Sequence, residues 1–116
     1  MQISVLSLFG LICADPDDGG CLCDHARQAL EAGESVVLDF TGVTTLTSAF
    51  LNSAIGCLYG SFSVEDLDRR LSWSGLDKTD ESLMRLVRSN AVRFFAANAE
   101  QRSRMVAAEN NAVGCL

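Results

Sequence analysis

Hydroxyl residues crowd one junction of this chain. Within VVLDFTGVTTLTSAFLNSAIGCLYG, Val36 to Gly60, they are Thr41, Thr44, Thr45, Thr47 and Ser48, with Ser53 just beyond. The residues before them have the continuous apolar character of a strand covered on both faces. Those after them have helical spacing. Hydroxyls at such a turn form the turn itself, cap the helix, hold an anion at its N-terminus or accept a phosphoryl group. A cap is the simplest of these, and Thr47 or Ser48 is placed to supply it. A regulatory phosphosite at Ser48 is the sharper reading, and the two are compatible because a capping hydroxyl is still modifiable. Thr41, Thr44 and Thr45 are most simply turn formers and strand-end residues. Asp39, at the end of the strand, is expected to accept amides from the following turn; contact with a partner or a metal is its functional alternative.

A second cluster has ligand chemistry: CLCDH, with Cys21, Cys23, Asp24 and His25, and Cys13 upstream. Zinc needs about four convergent ligands, usually contributed as closely spaced pairs. Neither Cys-x-x-Cys nor a second pair is present, and positions 21 and 23 face different sides of a helix. Cys23 and Cys57 are therefore expected to be small core residues, with His25 beside Leu22. A metal reading would rest on Cys21, Cys23 and His25, and no cofactor is expected. Catalytic patterns are lacking too. There is one His, no Gly-x-Ser-x-Gly or Ser-x-x-Lys, and no glycine-rich phosphate loop. Ser48 as a nucleophile would need a base within reach. The chain is not expected to be an enzyme.

The chain has 116 residues, 48% of them hydrophobic, with a single Pro and a net charge of -6. One domain of this size buries about two-thirds of its unfolded surface and needs no metal or disulfide to fold. The negative charge argues against general nucleic-acid binding, which depends on Lys and Arg meeting phosphates. Five cysteines, an odd number, suit reduced thiols better than a disulfide framework. Ile3 to Cys13 is largely apolar, but it is too short to span a bilayer and has no basic residue before it, the first being Arg27. A cytoplasmic protein is the expectation, with no membrane association.

These residues need elements to position them. ISVLSLFGLIC reads as one long strand or two short ones broken near Gly10. ADPDDGG reads as a turn, and CLCDHARQALEAG as a short helix ended by Gly33. Val36, Val37 and Leu38 lie in a core strand. The next helix starts near Thr47, carries Phe50, Leu51, Ala54, Ile55 and Leu58 as its core stripe, and ends at Gly60. SVEDLDRRL is a shorter helix with Ser63 as N-cap, and LSWSGL is a further strand. From Thr79 a long helix follows, with Leu83, Leu86, Val87, Ala91, Phe94 and Phe95 on its buried face. The expected fold is α/β, a small mixed sheet of about four strands packed with helices. It occupies residues 1–98 as one domain, with 99–116 a helical extension or frayed tail.

With those elements in order, VVLDFTGVTTLTSAFLNSAIGCLY resembles the STAS domain of bacterial anti-sigma-factor antagonists. It is more similar still to the family of STAS-like domains of unknown function. The residues carrying the resemblance are Leu38-Asp39-Phe40, Val43, Ser48-Ala49-Phe50 and Gly56-Cys57-Leu58. DDGGCLCDHARQALEAGE before them and LSWSGLDKTDESLMRLVRSNAVRFF after them extend the likeness over roughly residues 3 to 96. In the anti-sigma antagonists the strand-to-helix turn carries a serine phosphorylated by a partner kinase, which breaks the complex. By position that serine is Ser48. The acidic residue preceding it in those proteins is Thr47 here, and Ala49 follows.

The resemblance implies a non-catalytic regulatory domain that binds a protein partner through the face from Thr44 to Asn52, with a histidine-kinase-like ATPase as the implied partner. A charge added at Ser48 would block docking. One alternative is a small acidic inhibitor from a phage or mobile element, of anti-CRISPR type, occupying a basic site on a defence complex. Another is a metal- or redox-linked protein built on Cys21, Cys23 and His25. A second copy of the chain is a further candidate partner. Arg85, Arg88, Arg102 and Arg104 cluster late and Asp15, Asp17 and Asp18 early. These read as solvated faces or as a charged docking surface, with Tyr59, Phe62 and Trp73 as candidate aromatic anchors.

Overall fold

The computed structural model describes residues 1–105, with side chains described through Ala96. In chain order the elements are β1 (Gln2–Ser4), α1 (Val5–Phe9), β2 (Ile12–Cys13), α2 (Pro16–Glu31), β3 (Val36–Asp39), β4 (Thr45–Leu46) and α3 (Ser48–Ala54). A 3-10 turn (Gly56–Gly60), α4 (Val64–Arg70), β5 (Leu71–Ser74) and α5 (Lys78–Met105) follow. The class is α/β. Its strands form two small sheets, one of three strands in the order β1-β3-β5 and one pairing β2 with β4. All three strand pairings are parallel, so helical crossovers must connect the strands.

Two sheets form because the first apolar run is not one strand. Ser4 caps a helical turn by accepting the Ser7 N–H, and Gly10, at φ 83°, ends it in a conformation most residues avoid. The run is thereby split into β1, paired with the core strand, and β2, paired elsewhere. The segment ADPDDGG, expected as a turn, is instead the first turn of α2. Asp15 is its N-cap, accepting the Asp17 N–H at 2.9 Å, and Pro16 sits at the first helical position. Gly19 is helical and buried because α3 crosses directly above it. A Cβ there would lie 2.4 Å from the Phe50 carbonyl oxygen and 2.8 Å from Ser53 Cβ.

β3 is the middle strand, with Leu38 opposite Ile3 on one side and Trp73 on the other. Val36, Leu38 and Phe40 are fully buried beneath helices whose inward residues include Leu22, Phe50, Leu51 and Met84. Such packed side chains carry most of the folding energy; removing one large ring typically costs 3–5 kcal/mol. Ser63 caps α4 by accepting the Asp66 N–H at 3.1 Å. Two boundaries and one buried face differ from expectation. α3 stops at Ala54 and tightens into the 3-10 turn before Gly60. Asp77, rather than Thr79, satisfies the start of α5 by accepting the Asp80 N–H at 2.8 Å. On α5 the buried stripe runs through Met84, Val87 and Ala91, leaving Leu86 and Phe94 exposed. α5 runs to Met105, so the expected extension over 99–116 is helical that far and otherwise lies outside the described residues. Among the described residues no helix is long and apolar enough to cross a membrane.

Candidate functional site

The strand-to-helix junction is held by the segment that precedes α2. The Leu11 carbonyl accepts the amides of Thr44 (2.9 Å) and Thr45 (3.2 Å) and the Thr44 hydroxyl (3.1 Å). Two residues on, the Thr47 amide donates to the Cys13 carbonyl at 3.2 Å. The Thr47 hydroxyl is the α3 N-cap, accepting the Phe50 N–H at 3.2 Å while donating to the Ala14 carbonyl at 3.4 Å. The capping role open to Thr47 or Ser48 thus falls to Thr47, and Ser48 is the first helical residue. Thr44 and Thr47 are engaged in holding the backbone.

Thr45, Ser48 and Asn52 are exposed, and among the described residues their side chains make no hydrogen bond. The junction is therefore a rigid mount for unpaired hydroxyl and amide groups facing solvent. Beside it lies an apolar surface that sequence reasoning missed. Ile12 is directly paired with Thr45 and is 63% exposed; Leu11 is 56% exposed and Leu8 45%. Read along the chain, these residues belong to a run that looks like core. The one available signal was Gly10, which splits the run, so that Leu11 and Ile12 face outward while Cys13 stays buried.

Asp39 sits apart from this face, at the end of β3. Its Oδ1 accepts the Thr41 N–H at 3.0 Å and its Oδ2 accepts from the Gln2 side-chain amide at 3.2 Å. Bonds from the Thr41 hydroxyl and amide, and then from Gln2, hold its carboxyl below the ordinary carboxylate value. The contacts are those of a residue closing the β3 exit turn and tying it to β1. Gly75, at φ 82°, lies against the same turn, where a Cβ would sit 2.4 Å from the Thr41 nitrogen.

The CLCDH residues do not converge. Cys21 and His25 are exposed, and Asp24 pairs with Arg27. Cys23 is fully buried and disulfide-bonded to Cys57, which corrects the expectation of reduced thiols. The pairing arises because α2 packs along α3 and the 3-10 turn that continues it, a contact with no signature in the 34-residue spacing of the two cysteines. Among the described residues no group of three or more His, Cys, Asp or Glu side chains is arranged to hold a metal ion. Cys13 is buried, and burial, followed by the nearby Asp18 charge, pushes its thiol up.

Four ion pairs form among the described charges, joining Asp24 to Arg27, Asp66 to Arg69 and Arg70, and Asp68 to Arg88. Arg88 meets Asp68 at 2.6 Å and lies over the Tyr59 ring, 6.0 Å from its centroid. Arg70 bonds Asp66 at 2.8 Å and also the carbonyls of Leu30 and Glu34, tying α4 to the end of α2. Arg85 is exposed, and the side chains of Arg102 and Arg104 lie outside the described residues. Tyr59 is buried, and Phe62 and Trp73 are half-buried against the core, so the sequence-suggested aromatic anchor does not form a surface. The exposed apolar residues beside the hydroxyls are Leu11 and Ile12 instead.

A small parallel α/β domain with a hydroxyl-rich crossover between its second sheet and a short helix is the class these features define. Residues 18–81, from the first turn of α2 to the first turn of α5, match the STAS-like domain of unknown function, and the chain belongs to that family. The match leaves out β1, α1 and β2, although β1 completes the main sheet and the exposed Leu11 and Ile12 lie at the start of β2. Comparisons with curated proteins and with solved structures gave no match.

Proposed function

We propose that this protein is a non-catalytic regulatory interaction domain whose docking face combines Leu11 and Ile12 with Thr45, Ser48 and Asn52. One observation carries the reading: the exposed Ile12 is paired directly with Thr45, whose hydroxyl is unpaired among the described residues, on a backbone held by the Thr44 and Thr47 bonds. Interfaces take this form, with an apolar centre and a polar rim able to pair with a partner. The mount costs little ordering entropy on binding, since its backbone is already pinned. Similarity to the anti-sigma-factor antagonists makes a histidine-kinase-like ATPase the partner to test first and Ser48 the switch. Phosphate on Ser48 would place about two negative charges on the docking face. The dipole of a helix as short as α3 compensates them only weakly.

The competing reading, an acidic inhibitor of a basic defence complex, would draw on acidic residues outside these ion pairs, such as the exposed Asp15 and Asp17, and salt-sensitive binding to a basic effector would favour it. The experiment is affinity capture from the native cell, identification of the partner, and titration of the purified partner against Ser48→Ala and Ser48→Asp. The switch reading expects the first to bind like wild type and the second to lose binding. Equal binding of both removes Ser48 from the mechanism.

A further inference from the structure

We propose that Cys23 and Cys57 form a reversible thiol–disulfide pair, exchanging with a low-molecular-weight thiol at Cys57, whose state sets how firmly α3 and its 3-10 continuation are held on α2. The consequence for docking rests on the proposed interaction face; the exchange chemistry does not.

The two sulfurs are unequally placed. Cys23 lies on the inner side of α2 with no exposed surface, whereas Cys57 is half-buried in the 3-10 turn. An external thiolate therefore reaches the Cys57 sulfur and expels the Cys23 thiolate, because exchange requires access to the sulfur attacked. Once reduced, Cys57 has a ready acceptor, with its Sγ 3.2 Å from the Ser53 carbonyl oxygen. Cys23 returns to being a small apolar core residue. Cys21 is exposed but two helical positions from Cys23, on another side of α2, and Cys13 is buried and bonded toward Gly10. Among the described cysteines, geometry selects one pair.

The fold does not need the bond to bring its parts together. Gly19 seats α2 under the Phe50 carbonyl, and Leu22, Ala26, Phe50, Leu51 and Ala54, all fully buried, supply an apolar contact that is independent of the sulfurs. What the bond adds is a tether on the segment after Ala54, where α-helical bonding gives way to the 3-10 turn. Such turns have poorer hydrogen-bond geometry and relax readily. Ser48 and Asn52 lie on the helix directly before it, so loosening there reaches the docking face.

The chemistry balances with glutathione disulfide as oxidant. The Cys57 thiolate attacks one glutathione sulfur, forming a mixed disulfide and releasing one glutathione thiolate. The Cys23 thiolate then attacks the Cys57 sulfur, closing the bond and releasing the second. Two electrons leave the protein, and the two cysteine protons pass to the released thiolates.

The test uses the full chain equilibrated in mixtures of reduced and oxidised glutathione, trapped by alkylation and mapped by peptide mass spectrometry. Going from oxidised to reduced mixtures, two further thiols, Cys23 and Cys57, become alkylated while the far-ultraviolet circular dichroism is unchanged. A Cys23→Ser variant accumulates glutathione on Cys57. Amide hydrogen exchange over residues 47–60 speeds up on reduction; Cys57→Ser reproduces that pattern and Cys21→Ser does not. The proposal is overturned if no Cys23–Cys57 link forms in oxidised glutathione, if the link yields only after denaturation, if reduction unfolds the whole chain, or if exchange over 47–60 is insensitive to it. None of these readouts involves a partner, so failure here and failure of the docking face are separately visible.

Discussion

The Thr47 hydroxyl reaches the Ala14 carbonyl at 3.4 Å while accepting the Phe50 N–H at 3.2 Å, so one side chain caps α3 and ties it to the end of β2. The junction's shape depends on that double contact more than on the hydroxyls around it. Thr47→Ala loses a cap and leaves a half-buried carbonyl without its hydroxyl donor. It is expected to lower unfolding free energy by about 1–2 kcal/mol. Thr47→Ser, which keeps both bonds, should lose less than half of that, as read by urea denaturation.

Gly19 shows a similar economy. Alanine is ordinarily the better helix former by about 1 kcal/mol. Here its methyl would meet the Phe50 carbonyl at 2.4 Å, a backbone atom that moves only if α3 moves. Gly19→Ala is therefore expected to destabilise by about 1–3 kcal/mol despite the propensity gain. Gly60→Ala meets the Phe95 ring at 2.8 Å, a side-chain rather than a backbone contact, and should cost less. Thermal unfolding of the two variants side by side checks the order.

Asp39 supplies a pH-dependent contribution with a definite sign. Its folded pKa lies below the ordinary value of 3.8, through the Thr41 hydroxyl and amide and then Gln2. The contribution is therefore fully present above the unfolded pKa and is lost as pH falls through the folded one. Between about pH 5 and pH 2 the wild type should lose more stability than Asp39→Asn, and the two curves should converge at the acid end. Parallel curves would remove Asp39 from the acid limb.

The side chains of Ser48 and Asn52 make no hydrogen bond among the described residues, so their replacement should leave the fold intact. Ser48→Ala and Asn52→Ala are each expected to change unfolding free energy by no more than about 0.5 kcal/mol, the usual range for exposed sites. A larger loss would assign them a structural role that the described contacts do not contain.

Much of the frame was legible along the chain. The consecutive Val36, Val37 and Leu38 marked the central strand, Ser63 with Glu65 and Asp66 marked α4, and the stripe from Phe50 to Leu58 marked the helix after the junction. These are local patterns, each carried by capping or periodicity. What was not legible depends on contacts distant in sequence. Leu11 and Ile12 have the composition of core and are exposed because Gly10 turns them away from β1 and β2 pairs with β4. ADPDDGG carries turn residues, yet Pro16 and Asp15 suit a helix start equally well, and only the packing of Gly19 under α3 decides between them. The Cys23–Cys57 bond follows from the same packing. At the site, the crowding of hydroxyls was visible, but which were engaged was set by the Leu11 and Ala14 carbonyls more than thirty residues away.

The docking face is tested most directly by Ile12→Asp, measured by titration against the partner captured with the wild-type chain. Ile12 is 63% exposed, so the substitution should leave the unfolding curve unchanged. It should weaken binding by about tenfold or more, as for loss of a central apolar anchor. Unchanged affinity in a variant that folds like wild type would contradict the account and place the partner elsewhere on the protein.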